Sequence, residues 1–245
     1  MEPTQRFTQV AAIYDQYRPS YPEAVVQKLA LSPKQRVAEI GSGTGILTRQ
    51  LLATGASIFA IEPNAAMRVF AEQRFGDHPN FTSLDARAEA TGLSDHSQDW
   101  VVAAQAFHWF KLDETRLEFE RILKPGGQVA LIWNDRQSHD PLLSDYENLL
   151  TRYCDDYQDQ VHRLVKLEDL DTFLPGYQVE VFPNHQRLDW EGLQGRLLSC
   201  SYALSPGHAN YEPLMQGLRD IFERHQKAGE VVFPYDTRLF TGQLL

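Results

Sequence analysis

The chain predicts an α/β fold built on a doubly wound, mostly parallel sheet, and three observations carry that expectation. Short apolar runs alternate with segments of helical period five times between Arg36 and Asn134. A glycine loop, "GSGTG" at 41–45, follows the first of those runs. A carboxylate, Glu62, closes the second, 21 residues after Gly41.

Each element has its own signal. "SYPE" at 20–23 sets Ser three residues before Glu, with Pro in the first turn. That is a capping-box pattern, and it predicts a helix that buries Val25, Val26 and Leu29 and stops before Ser32-Pro33. "RVAEI" (36–40) reads as a strand, and 44–54 as a helix with Ile46, Leu47, Leu51 and Leu52 at helical spacing. "SIFAIE" (57–62) is the second strand, and 64–75 a helix turning Met67, Phe70 and Phe75 inward. "NFTSLD" (80–85) and "DWVVAAQ" (99–105) are strands three and four, and 113–123 is helical. "KPGG" at 124–127 predicts a Pro-Gly turn into strand five, "QVALIWN" (128–134).

Beyond 135 the rhythm breaks. Residues 141–172 read as helical, "YQVEVF" (177–182) as a strand, 189–228 as helical again, and "EVVFPYDTRLF" (230–240) as the last strand. The expectation is one domain over 1–245, with a core at about 30–135 and cap helices over 5–31. Helical insertions at about 138–172 and 189–228 would form a lid over the carboxyl ends of the strands, where such sheets bind ligands.

Composition narrows the partners. With 42% hydrophobic and 23% charged residues the chain is globular rather than disordered. A net charge of −10 and the lack of any basic run argue against nucleic acid and anionic membranes. Cys154 and Cys200 have no metal-ligand or disulfide-framework spacing, so no metal is expected and a reducing, cytoplasmic compartment fits. The N-terminus lacks signal-peptide order, and no apolar stretch approaches the length of a membrane span.

The glycine loop poses the question of which nucleotide it serves. A dinucleotide fingerprint needs a third glycine where this chain has Ile46, which weakens an NAD(P)-dependent oxidoreductase. Glu62 does not discriminate, because NAD and S-adenosylmethionine both present a ribose diol. "VAEIGSGTG", "AIEPN", "LDARAEATGL" and "LKPGG", in this order, resemble the class I S-adenosylmethionine-dependent methyltransferases. "YDQYRPSYP", "AQAFHWF" and "FPYDTRLFTG" are similar to the branch with methyltransferase-type-11 and trans-aconitate-type proteins. The resemblance implies a Rossmann-like seven-stranded sheet with an antiparallel last strand. It also implies S-adenosylmethionine as cofactor, S-adenosylhomocysteine as product, and a small-molecule acceptor methylated at a carboxylate, hydroxyl or carbon. The chain would act as a monomer or homodimer. A non-catalytic cofactor-binding module working through a partner is the rival outside enzymes.

The same resemblance distributes the site. Gly41, Gly43 and Gly45 would let backbone approach the methionyl part of the cofactor, and Glu39 would order the loop and meet the ammonium. Glu62 would take the ribose. Asp85 would take the adenine amino group, unless it serves as a helix cap, and Ala86 and Ala88 would leave room for the purine. Gln105 would flank the methionyl group through its carbonyl, and Arg18 would pair with its carboxylate. Phe107, Trp109 and Phe110 suit the sulfonium, with Trp109 and Phe110 extending to the acceptor. His108 has a pKa suited to a general base, though a His between aromatics also packs, and Tyr14 is the second candidate. Arg136 could clamp a carboxylate acceptor.

Overall fold

The computed structural model describes residues 11–155, 157 and 167–244. Positions 5–10 of the expected cap, and position 156 and positions 158–166 of the first insertion, lie outside the described residues.

Seven strands form one sheet in the order β3-β2-β1-β4-β5-β7-β6. They are β1 (Arg36–Ile40), β2 (Ser57–Ile61), β3 (Phe81–Leu84), β4 (Gln98–Ala104), β5 (Leu123–Arg136), β6 (Gln178–Leu188) and β7 (Val231–Gly242). The first five pair in parallel, and β7 runs antiparallel to both β5 and β6. Order reverses between β1 and β4, which opens a crevice at their carboxyl ends. The helices in chain order are α1 (Ala11–Tyr17), α2 (Glu23–Lys28), α3 (Ile46–Leu52), α4 (Ala65–Phe75), α5 (Leu112–Ile122), α6 (Pro141–Tyr153), α7 (Leu167–Phe173), α8 (Trp190–Leu198) and α9 (Tyr211–His225).

The two-residue period of the strands builds a core on each face. Ala38, Ile40, Val101, Ala103, Leu131 and Trp133 point to the side covered by α5 and α7. Val37, Val102, Ala130 and Ile132 point to the side covered by α2, α3 and α4. A third apolar cluster joins α6, α8 and α9 to the start of β7 and the end of β6. The last β5 pair is Arg136 with Tyr235, while β6 and β7 stay paired as far as Leu188 with Val231. The antiparallel β6–β7 pair therefore overhangs the carboxyl edge of the sheet and carries the third cluster with it.

Several sequence expectations need correction. The capping box is absent: α2 begins at Glu23 after Pro22, with no side-chain cap. Gln50 instead pairs with both backbone groups of Tyr21, at 3.3 and 2.8 Å, so a long-range contact fixes the chain where a local cap was expected. "KPGG" is not a turn before strand five but a bulge within it. Pairing passes from Gln98–Leu123 to Trp100–Gln128, with Gly126 at φ +80° absorbing the detour. The helical stretch expected over 189–228 divides into α8 and α9, because 199–210 carries the Ser-Pro-Gly sequence that breaks helices.

Candidate functional site

Two connected chambers open above the carboxyl ends of the strands. The first is lined by Ile40 and Gly41 after β1, Ile61 and Glu62 after β2, and Ala86–Glu89 after β3. Ala104, Gln105 and Ala106 after β4, with Trp109 and Phe110, close its other wall. The second lies beside it, between Arg18, Pro19 and Tyr21 on one side and Asn134, Asp135 and Arg136 at the end of β5. Glu147 of α6, Arg196 of α8 and Tyr202 roof it. Tyr14 and Gln105 line both chambers and so stand at their junction.

Backbone geometry explains the loop. An added Cβ at Gly43 would meet nothing within 4 Å, so this residue presents bare backbone to open space. A Cβ at Gly45 would come within 2.7 Å of Phe75 Cε2 on α4. Gly45 thus serves helix packing and is not among the residues that line the first chamber. Gly41 does line it, under Ala106.

Glu62 is the best-defined polar feature. It is 8% exposed, its Oε2 accepts the Gly43 N–H at 2.9 Å, and its Oε1 accepts the Asn64 N–H at 2.8 Å. Each oxygen keeps a lone pair for a further donor, the geometry a vicinal diol requires. Burial raises its pKa, and the two backbone N–H groups and Arg68 oppose that rise.

Glu39 lies beneath the loop, 2% exposed, and its Oε2 accepts from Thr48 Oγ1 at 2.6 Å. Burial pushes its carboxyl up to about 8. The Thr48 hydroxyl works against that rise, and the Glu62 charge adds to it. It has no ion-pair partner among the described residues, so it is a buried carboxyl suited to a cation.

Other expected residues fall elsewhere. Asp85 is 69% exposed and ion-paired to Arg68 at 3.0 Å, outside the lining, because β3 ends one residue earlier and turns the side chain outward. Ala86 and Ala88 occupy the wall instead, with Met67 and Phe110. Phe107 is core, packed edge-on against Phe110, Trp133 and Phe173. His108 lines neither chamber and stacks near Trp109 at 4.9 Å, so the sequence-stretch "FHWF" splits between core and wall. Arg18 lines the second chamber, its guanidinium 4.8 Å from the Tyr14 ring and its Nη2 donating to the Ser199 carbonyl at 3.0 Å. Gln105 has φ +55°, a strained conformation for a residue with a Cβ, and its amide donates to Ile132 O at 2.9 Å. Arg136 pairs with Glu147 at 3.0 Å and donates to Tyr157 Oη at 2.6 Å.

Glu147, Arg196 and Tyr202 were not anticipated. "GLQGRLL" and "DYENLL" read as ordinary amphipathic helices, and nothing local marks the polar residue that tertiary packing turns inward.

Residues 38–131 match the family model described as a methyltransferase domain. An uncharacterized methyltransferase of Mycobacterium tuberculosis is 32% identical over 155 residues, 63% of this chain and 63% of its own length. A methyltransferase-like protein of Schizosaccharomyces pombe is 29% identical over 199 residues, 79% of this chain and 69% of its own. A solved structure from Anaeromyxobacter dehalogenans, provisionally described as a type II methyltransferase, has a TM-score of 0.65 at 23% identity. It covers 94% of this chain and 99% of that one. Phosphoethanolamine N-methyltransferase 2 of Haemonchus contortus, solved with S-adenosyl-L-methionine, has a TM-score of 0.56 at 17% identity, covering 98% of this chain and 57% of that one. Residues 38–131 are thus similar to a methyltransferase domain, and the chain shares the fold of these solved methyltransferase structures. The narrower likeness to trans-aconitate-type proteins rests on the sequence segments alone.

Proposed function

We propose that the chain is an S-adenosylmethionine-dependent methyltransferase acting on a small-molecule acceptor. The observation that carries this reading is the pair of buried carboxyl groups flanking the glycine loop. Glu62 at the rim suits a ribose diol, and Glu39 below suits an ammonium. A dinucleotide would bring a pyrophosphate to the same loop, where Ile46 replaces the third glycine of its fingerprint and the buried Glu39 offers it no positive charge. A cofactor with an amino-acid end and a positive sulfur has the complementary charge.

In this reading the purine lies between Met67, Phe110 and the Ala86–Ala88 wall. Gly41, Gly43 and Gln105 bring backbone close to the amino-acid portion, and Arg18 faces its carboxylate from the second chamber. When bound, the cofactor supplies a methyl group already activated by sulfonium charge. Gly41, Gly43, Glu62 and Gln105 would hold it at the strand ends, and it would supply methyl transfer to an acceptor lone pair.

The chain's own residues then align, enclose and handle protons. Trp109 and Phe110 present aromatic surface to the cation and keep water out. Alignment of the acceptor behind the methyl supplies most of the rate, about 7–11 kcal/mol for a well-held pair. A carboxylate acceptor loses no proton. For a hydroxyl acceptor, Tyr14 lines the junction of the two chambers and His108 lines neither.

Calorimetric titration with S-adenosylmethionine, S-adenosylhomocysteine and NAD, run beside Glu62→Ala, tests the reading. Binding of the first two, reduced at least about tenfold in the variant, is the expected result. Binding of NAD alone overturns it.

A further inference from the structure

We propose that Cys200 is a peroxide-reactive thiol, a modification site formed by the arginines and tyrosines packed around its sulfur. The chemistry is independent of methyl transfer and of any cofactor.

Cys200 follows α8, and its neighbours come from several parts of the chain. Arg196 Nη1 donates to Cys200 Sγ at 3.2 Å, and Arg196 Nε donates to Tyr235 Oη at 2.9 Å, which fixes the direction of the guanidinium. Arg18 reaches over from the segment after α1, its Nη2 donating to the carbonyl of Ser199 at 3.0 Å. The Tyr202 hydroxyl donates to the sulfur and accepts from Arg136 at 3.3 Å. Neither Arg18 nor Arg196 forms an ion pair with a carboxylate among the described residues. The sulfur is therefore the group their charge falls upon.

The two cysteines of the chain show what those cations do. Both are buried, Cys154 at 2% exposed and Cys200 at 3%. Burial pushes the Cys154 thiol up to about 11, and the Cys200 charge adds to that rise. Burial would raise Cys200 as well, yet Arg18 and Arg196 hold it down to about 7. Equal burial with opposite outcomes isolates the positive field as the cause. Near neutral pH a large share of Cys200 is thiolate, the nucleophilic form, while Cys154 stays protonated.

A second observation points to an added oxygen. Arg18 Nε and Tyr146 Oη are buried with no hydrogen-bond partner among the described residues, and Tyr146 is 0% exposed. Burial raises the Tyr146 phenol, and the Cys200 charge raises it further, so the hydroxyl and the sulfur feel one another. Sulfur is a weak acceptor, and an oxygen carried on it would give these orphaned donors a strong one. Access is short, because Arg196 and Tyr202, which both touch the sulfur, also line the second chamber. In the step itself the thiolate attacks one oxygen of hydrogen peroxide. A sulfur–oxygen bond forms and the oxygen–oxygen bond breaks, leaving Cys200 as a sulfenic acid. The departing hydroxide takes a proton from solvent and leaves as water. Sulfur gives up two electrons and the peroxide gains them. Since Arg18, Arg136 and Arg196 line the chamber, oxidation changes the charge that the chamber presents.

The test treats the whole reduced chain with hydrogen peroxide over a range of pH, in the presence of dimedone, which alkylates sulfenic acids. Labelled peptides are then quantified by mass spectrometry. Near neutral pH Cys200 should be labelled at least about thirtyfold faster than Cys154, the internal control. Its rate should rise through a midpoint near pH 7. Arg196→Gln should move that midpoint upward, and Arg196→Lys, which keeps a cation, should move it less. Tyr146→Phe removes a buried hydroxyl that has no partner, so the fold tolerates it. Without that donor the sulfenic acid should pass on to sulfinic acid at least about threefold faster. Equal labelling of the two cysteines, labelling of Cys200 only in denaturant, or no dimedone adduct at all overturns the proposal. So does a midpoint that stays fixed in both Arg196 variants.

Discussion

Glu39 shows how one side chain links stability, pH and ligand. Its unfolded pKa is that of an ordinary glutamate, near 4.5, and its folded value is about 8. Between those values the folded chain holds a proton that the unfolded chain has released, so stability falls as pH rises from about 4.5 to 8. The full effect is on the order of 5 kcal/mol. Urea denaturation of the ligand-free chain should show this slope, and Glu39→Gln should flatten it while stabilising the protein near pH 8. An equal slope in both chains would exclude Glu39 as its source. In the proposed complex the ammonium favours the ionised form. Binding at pH 7 should therefore release close to one proton, read by calorimetry in buffers of different ionisation enthalpy.

At the scale of elements, the junction between chambers depends on how α1 meets α8. Gly195 on α8 packs against the Tyr17 ring, and a Cβ there would overlap Tyr17 Cδ2 and Cε2. Tyr17 also bonds to Glu191 of α8, and its carbonyl accepts from Gln186 of β6, so the last residue of α1 is tied to both elements. Gly195→Ala should push α1 outward and carry Tyr14 and Arg18 with it. The expected outcome is at least about a tenfold loss of S-adenosylhomocysteine affinity with a modest change in melting temperature. A large fall in melting temperature with unchanged affinity would mean that the contact is purely structural.

For the whole molecule, β7 is the element that unites the cores. Phe240 belongs to the cluster on one face of the sheet and Leu239 to the cluster on the other, while Val231, Phe233 and Tyr235 belong to the lid cluster. Helices α6, α8 and α9 thus share a strand with the cores on both faces of the sheet, and the three clusters are expected to unfold together. Leu218 on α9 is fully buried in the lid cluster, and Leu218→Ala should cost about 2–5 kcal/mol. Scanning calorimetry should show one transition that moves as a unit. A separate, earlier transition for the variant would show that the lid melts alone.

The legibility of this protein follows the range of its interactions. Alternating strands, the glycine loop and Glu62 were visible because each depends on neighbours within a few residues: a two-residue pleat, positive φ angles, a carboxylate ending a strand. The family resemblance added the antiparallel β7, which pairing confirms. Ser20 was misread as a cap because Gln50, thirty positions along, satisfies the backbone at Tyr21. Asp85 and His108 have chemistry suited to the site but lie outside the chamber linings, since a single residue at a strand end or in a tight turn reverses which way a side chain points. The sequence by itself determined the sheet, its crevice and the buried carboxylate at the end of β2. Only the tertiary structure decided that Arg18, Arg136 and Arg196 share one chamber, because they come from three segments whose meeting depends on how the lid packs over β7.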